Sequence, residues 1–223
     1  MFKNLLLKYR VFKQAKSQQR KVLIQGTLLN AFYKSKTIFI HIPKTAGVSL
    51  AKAIYGDVSL EGHRSFYFNS IALNTKSEKY FSFTFVRNPF DRLYSAYKFL
   101  SKGGINYLDK LAFQTHLSEF KDFEDFILNG LNKKLIYEIT HFIPQHEYLC
   151  DSKGNILVDF IGRFEDLDSD IILLSKKLKK DINLSHHNFN KKLDYKKVYN
   201  DEMISKVHQI YKKDIDIFKY NFK

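Results

Sequence analysis

Two short stretches of the chain share one plan: an apolar run of strand length, a tight loop, and the start of a helix. In the first, TIFIHI (37–42) reads as a buried strand, PKTAG breaks it, and SLAKAIYG continues as a short helix closing on Gly56. In the second, YFSFTFV (80–86) alternates Phe81, Phe83 and Phe85 with smaller residues before Arg87-Asn88-Pro89 turns the chain into PFDRLYSAYKFLSKGG. Pro89 suits the start of a helix and Gly103-Gly104 its stop. Two such units in succession, with a crossover long enough for parallel pairing, predict an α/β fold in a single domain, its central parallel sheet flanked by helices.

Downstream, Phe120, Phe123, Phe126, Ile127 and Leu131 fall on one helical stripe and predict a surface helix with an apolar face. NILVDFIG (155–162) predicts a third strand, followed by a helix through DLDSDIILLSKKLKK. A closing amphipathic helix from about Asp201 gathers Met203, Val207, Tyr211, Ile215 and Phe218 on one face. The Lys- and Asn-rich stretch 183–197, with His186 and His187, reads as a loop.

Charge is the other asymmetry. The chain has 223 residues and a net charge of +14, yet residues 1–56 carry eleven Lys and Arg and no acidic residue. Residues 1–30 are therefore expected to form a basic N-terminal extension ahead of a domain over 31–223. Such a segment suits an arm for nucleic acid, a foot on an anionic membrane surface, or one wall of a polyanion pocket. No helix-turn-helix, RRM, KH or zinc-finger signature is present to read bases, so nucleic acid is not expected as a partner. A lone cysteine, Cys150, excludes an internal disulfide framework and a multi-cysteine metal site. No run approaches the roughly 18 apolar residues of a membrane span, and a cytoplasmic protein, peripheral at most to the inner membrane face, is expected.

The chemistry gathers at the two loops. In IFIHIPKTAGVSL, Lys44, Thr45, Gly47 and Ser49 lie between the carboxyl end of a strand and the first turn of a helix, where unpaired N–H groups and the helix dipole attract an anion. The loop is not a Walker A sequence, because Lys44 precedes its glycine by three residues. In FVRNPFDRLYSAY, Arg87 offers a planar fork matched to phosphate and Ser95 a hydroxyl from the helix. Arg92 could add to that site or pair with Asp91.

These two segments, in this order and about forty residues apart, resemble the cofactor loops of sulfotransferases that use 3′-phosphoadenosine 5′-phosphosulfate (PAPS), in particular the carbohydrate branch with heparan sulfate 2-O- and chondroitin-type enzymes and bacterial relatives. The similarity continues through HFIPQHEYL, VDFIGRFEDLDSD and the final YNDEMISKVHQIYKKDIDIFKYNF, over roughly 37–222. It implies a P-loop-like fold and sulfuryl transfer from PAPS to a carbohydrate hydroxyl, leaving 3′,5′-adenosine bisphosphate, with no metal required. Lys44, Thr45, Ala46, Gly47, Val48 and Ser49 would hold the 5′-phosphosulfate, and Arg87 with Ser95 the 3′-phosphate.

The resemblance further implies that Lys44 stabilises the leaving phosphate. In LEGHRSF, His63 matches a Gly-His element and is the expected base, with Glu61 the alternative. Arg64, His141 and His146 are expected to line the cleft for a glycan or glycolipid acceptor, while His41 is expected to be packed behind the loop. Arg163 matches a family R/K-F-E element near the nucleotide, where with Glu165 it could equally hold the sheet end together. Lys191 and Lys192 match a stretch that closes over the nucleotide. Two other readings compete: a P-loop-type kinase, and a nonenzymatic module that binds polyanions.

Overall fold

The computed structural model describes residues 2–74, 80–184 and 194–222, with side chains from Tyr9 onward. In chain order its helices are α1 (Phe2–Ser17), α2 (Leu28–Ser35), α3 (Gly47–Tyr55), α4 (Phe66–Ala72), α5 (Pro89–Ser101), α6 (Tyr107–His116), α7 (Phe123–Asp125), α8 (Leu135–Glu138), α9 (His146–Leu149), α10 (Leu167–Leu178), α11 (Asp201–Ile210) and α12 (Lys212–Phe218). The strands are β1 (Thr37–Ile40), β2 (Phe81–Val86) and β3 (Phe160–Arg163). Two compact units divide the chain: Met1–Ile42, Ala46–Phe85 and Glu147–His186 form the first, and Pro43–Thr45, Val86–His146 and His187–Lys223 the second.

The first unit holds the sheet, in the order β1-β2-β3. β1 and β2 run parallel with Thr37 opposite Phe81 and Ile40 opposite Thr84. The predicted α/β class, with a parallel sheet flanked by helices, is found. All four β1 residues are buried, as a strand covered on both faces requires. Phe39 stacks on Phe83 with ring centroids 5.1 Å apart, and burial of each such ring contributes about 1.5–3 kcal/mol. The Thr84 hydroxyl donates to the Ile40 carbonyl at 2.7 Å. Asp159 ties the approach to β3 onto β2, accepting from the Ser82 N–H at 2.7 Å and its hydroxyl at 2.6 Å. α2 and α4 pack against β1, and α10 packs against β3.

In the second unit, α5 and α11 enclose an aromatic core that includes Phe90, Tyr97, Phe126, Phe142 and Tyr211. The apolar stripe expected to form one helix over 117–131 is instead split. Asp122 caps a new start by accepting from the Asp125 N–H at 2.9 Å, and the Lys121 N–H is taken by the Asp125 carboxylate. The following residues, Phe126–Gly130, wind as a π-turn closed by the Leu131 N–H on the Phe126 carbonyl. An internal N-cap residue outcompeted the periodicity.

The closing helix is likewise two, α11 and α12, divided at Tyr211, whose fully buried hydroxyl donates to the Phe142 carbonyl at 2.8 Å. The third strand occupies only the end of the expected span. The loop expected over 183–197 lies mostly outside the described residues, as do Lys191 and Lys192; Tyr195–Val198 form a 3₁₀ turn.

Candidate functional site

The first loop departs from ordinary backbone geometry. Lys44 has φ 69° and Ala46 φ 64°, both in the left-handed region that costs a residue with a side chain about 1 kcal/mol or more. Ala46 is the N-cap of α3 and has no side-chain oxygen with which to cap it. The positive end of the helix dipole favours an anion at this end. Thr45 is fully buried, Ser49 half-buried and Val48 exposed.

The second loop is built the other way, from side chains. Asn88 caps α5, its Oδ1 accepting from the Phe90 N–H at 3.1 Å, while its amide donates to the Asn221 carbonyl at 2.7 Å. Arg87 donates from Nε and Nη2 to the two Asp91 carboxylate oxygens, each at 2.8 Å, and from Nη1 to the Lys44 carbonyl at 3.0 Å. The fork is locked in plane by Asp91 and at the same time fastens the Lys44 peptide. Arg92, by contrast, pairs neither with Asp91 nor with the loop; it is almost fully buried and donates to the carbonyls of His141 at 3.1 Å and Ile143 at 2.9 Å.

Helix α5 then acts as a ruler. Asp91, Ser95 and Phe99 stand at i, i+4 and i+8 and share one face. Arg87 is bound at Asp91, and the Lys44 ammonium lies 3.9 Å from the centroid of the Phe99 ring. Ser95, half-buried, sits between them. At 1.5 Å per residue the two ends are about 12 Å apart along the helix. Lys44, Ser95 and Arg87, picked from two separate loops, are therefore brought together within the second unit.

Lys44 is electrostatically poised. Burial, and secondarily the Arg87 guanidinium, lower its pKa from 10.5 to about 8, against a smaller raising effect of Asp109. Asp109 is buried, accepts from the Ile105 N–H at 3.0 Å, and lies 3.8 Å from His141 Nδ1. Gly104 makes this possible: at φ +64° a Cβ there would stand 2.1 Å from the Asp109 Cβ. The His141 ring in turn packs on Phe99, centroids 5.0 Å apart, so Lys44 and His141 share that ring as neighbour.

His146 has a different setting. Its Nδ1 lies 2.6 Å from Asp214 Oδ1, and the fully buried Asp214 also accepts from the backbone N–H groups of His146 at 2.9 Å and Gln145 at 2.7 Å. The Gln145 amide clamps the Arg87 peptide, accepting its N–H at 2.9 Å and donating to its carbonyl at 2.8 Å. Asp214, Gln145 and Arg87 thus form a relay of position that sequence reading missed; the partners are about 60 to 70 residues apart along the chain, and no local pattern links them.

In the first unit, Gly47 faces the imidazole of His41: a Cβ at Gly47 would stand 1.8 Å from His41 Cδ2. The missing side chain makes room for a histidine. His41 is buried, and its carbonyl lies 2.9 Å from His63 Nδ1 with the two rings 4.3 Å apart. A carbonyl can only accept, so Nδ1 carries a proton and donates to it, which in the neutral tautomer places the ring's lone pair at Nε2.

Glu61 is ion-paired with Lys21, and the Arg64 guanidinium lies over the Phe68 ring at 4.6 Å. A cavity lined by Gln18, Lys21, Phe39, His41, Glu61 and Arg64 adjoins these residues. Arg163 stands in β3, where its N–H donates to the Asp170 carboxylate at 2.6 Å and so joins strand to α10. Among the described residues no group of three His, Cys, Asp or Glu is placed to hold a metal ion.

The sequence model of the Sulfotransferase family matches residues 10–221. No curated protein and no solved structure matches the chain.

Proposed function

Because the chain belongs to the sulfotransferase family, we propose that it moves a sulfuryl group from PAPS to a hydroxyl of a carbohydrate acceptor by in-line displacement. The observation that carries this reading is the α5 face on which Arg87 and Lys44 stand at opposite ends with Ser95 between them. Two cationic side chains seated two turns apart along one face of a rigid helix suit a nucleotide phosphorylated on both sides of its ribose.

The donor supplies a sulfuryl group held on a phosphosulfate anhydride. Lys44 Nζ stabilises the negative charge that grows on the departing phosphate; a half-buried ammonium is worth more against that charge than a hydrated one. Arg87 and Ser95 bind the 3′-phosphate and set register, with Asp91 holding the guanidinium plane before any ligand arrives. Thr45 and Ser49, with the peptides of Ala46, Gly47 and Val48, bind the 5′ end. His63 takes the acceptor proton at Nε2, the nitrogen left as acceptor by the His41 carbonyl. Glu61 is the weaker choice, because Lys21 engages its carboxylate. His141, steadied by Asp109 beside Lys44, contacts the acceptor, and His146 acts through Asp214 and Gln145 on the placement of Arg87.

Thermal unfolding with added nucleotide separates this reading from its rivals. Adenosine 3′,5′-bisphosphate raises the midpoint of a PAPS-dependent enzyme, ATP with magnesium that of a kinase, and neither selectively that of a polyanion-binding module. A panel of glycans with labelled sulfate donor then identifies the acceptor; no transfer to any carbohydrate, with transfer to another class of hydroxyl, would overturn the acceptor assignment.

A further inference from the structure

We propose that residues 9–24 form a foot that seats the protein on an anionic phospholipid surface. Helix α1 has two faces. Ala15 is fully buried and Val11 half-buried, on the side that packs against α4. The opposite side is aromatic and basic: Tyr9 and Phe12 are 53% and 41% exposed, with the Lys13 ammonium 5.1 Å from the Tyr9 ring centroid and that of Lys16 5.8 Å from Phe12. Positions 9, 12, 13 and 16 make one stripe at helical spacing. Arg10 and Arg20 are exposed nearby.

The chain then turns outward with Leu23 81% and Ile24 49% exposed. This display is held from behind. The Thr27 hydroxyl bonds the carbonyls of Lys21 at 2.7 Å and Ile24 at 2.8 Å, the Asn30 amide donates to the Val22 carbonyl at 2.7 Å, and Gln19 donates to the Ile71 carbonyl at 2.9 Å. A fixed turn that shows two large aliphatic side chains to water, beside four exposed cations and within a 56-residue stretch free of acidic residues, matches a lipid interface on both counts. A nucleic acid or soluble polyanion would use the cations and leave Leu23 and Ile24 in water. No described helix is long and apolar enough to cross a membrane, so the contact is a seat on the surface.

The test uses the full chain with vesicles of phosphatidylcholine alone or mixed with phosphatidylglycerol. The protein is expected to sediment with the mixed vesicles, to leave the neutral ones in solution, and to be released by high salt. Leu23→Ser with Ile24→Ser is expected to weaken vesicle binding about tenfold while leaving binding to heparin unchanged. Because the chain has no tryptophan, Leu23→Trp supplies a single reporter, whose emission is expected to shift to the blue only with phosphatidylglycerol vesicles. Equal binding to both vesicle types, an unshifted Leu23→Trp spectrum on bound protein, or full binding by the double Ser variant would overturn the proposal. The readout is independent of sulfuryl transfer.

Discussion

The two loops that carry the site solve the same task with different materials. The loop of Lys44 and Ala46 relies on backbone: two residues in left-handed geometry and a helix whose N-cap residue, Ala46, has no side-chain oxygen to cap it with. The loop of Arg87 and Asn88 relies on side chains, with Asn88 capping its helix, Asp91 bracing the guanidinium and Gln145 clamping the peptide. A loop shaped by backbone geometry at a helix start turns the helix dipole toward a ligand, whereas a loop braced by its own side chains holds those side chains in register. On this reading the first loop contributes to the rate and the second to affinity and register.

Lys44→Ala should break that division most sharply, lowering turnover about a thousandfold while adenosine 3′,5′-bisphosphate still binds; single-turnover transfer and calorimetry report the two effects separately. Turnover near that of the unaltered enzyme would remove Lys44 from the transition state. His63→Ala should follow, with a loss of about a hundredfold. Activity kept across neutral pH would pass the role to Glu61.

The pH dependence is the next largest effect. With the ammonium of Lys44 as the active form, the alkaline limb of the rate should fall above pH 8, by about tenfold one unit higher. Stability runs the other way. Lys44 binds its proton less tightly folded than unfolded, so between about pH 8 and 10.5 the unfolded chain holds more protons and the contribution of Lys44 to stability rises with pH. A loss of rate without a loss of unfolding midpoint is therefore the expected signature; a bound polyanion should move the fall to higher pH.

Two smaller effects sharpen the second loop. Gln145→Ala should weaken nucleotide binding several-fold through the Arg87 peptide, leaving the rate at saturation nearly unchanged. Asn88→Ala should cost about 1 kcal/mol of stability as a lost helix cap, read as a lower unfolding midpoint.

How far the sequence reveals this depends on the range of the forces involved. β1, β2 and the helices after them were legible because strand pattern, Pro89 and the closing glycines act locally. The split at Asp122 was hidden because a cap and an apolar stripe compete within one segment, and burial of Phe126 did not decide between them. Lys44, Arg87 and Ser95 could be picked out by residue type, but Phe99 beneath Lys44 and the tie from Asp214 through Gln145 depend on contacts tens of residues apart. Gly47 shows the same limit: its spacing suggested room for an anion, while in the fold the space beside it belongs to His41.

The most direct test measures the affinity of adenosine 3′,5′-bisphosphate and of adenosine 5′-phosphate for the unaltered protein and for Arg87→Ala. A grip at both ends of the α5 face predicts that the unaltered protein prefers the bisphosphate and that Arg87→Ala binds the two alike. An equal affinity in the unaltered protein, or a preference that survives the substitution, would contradict it.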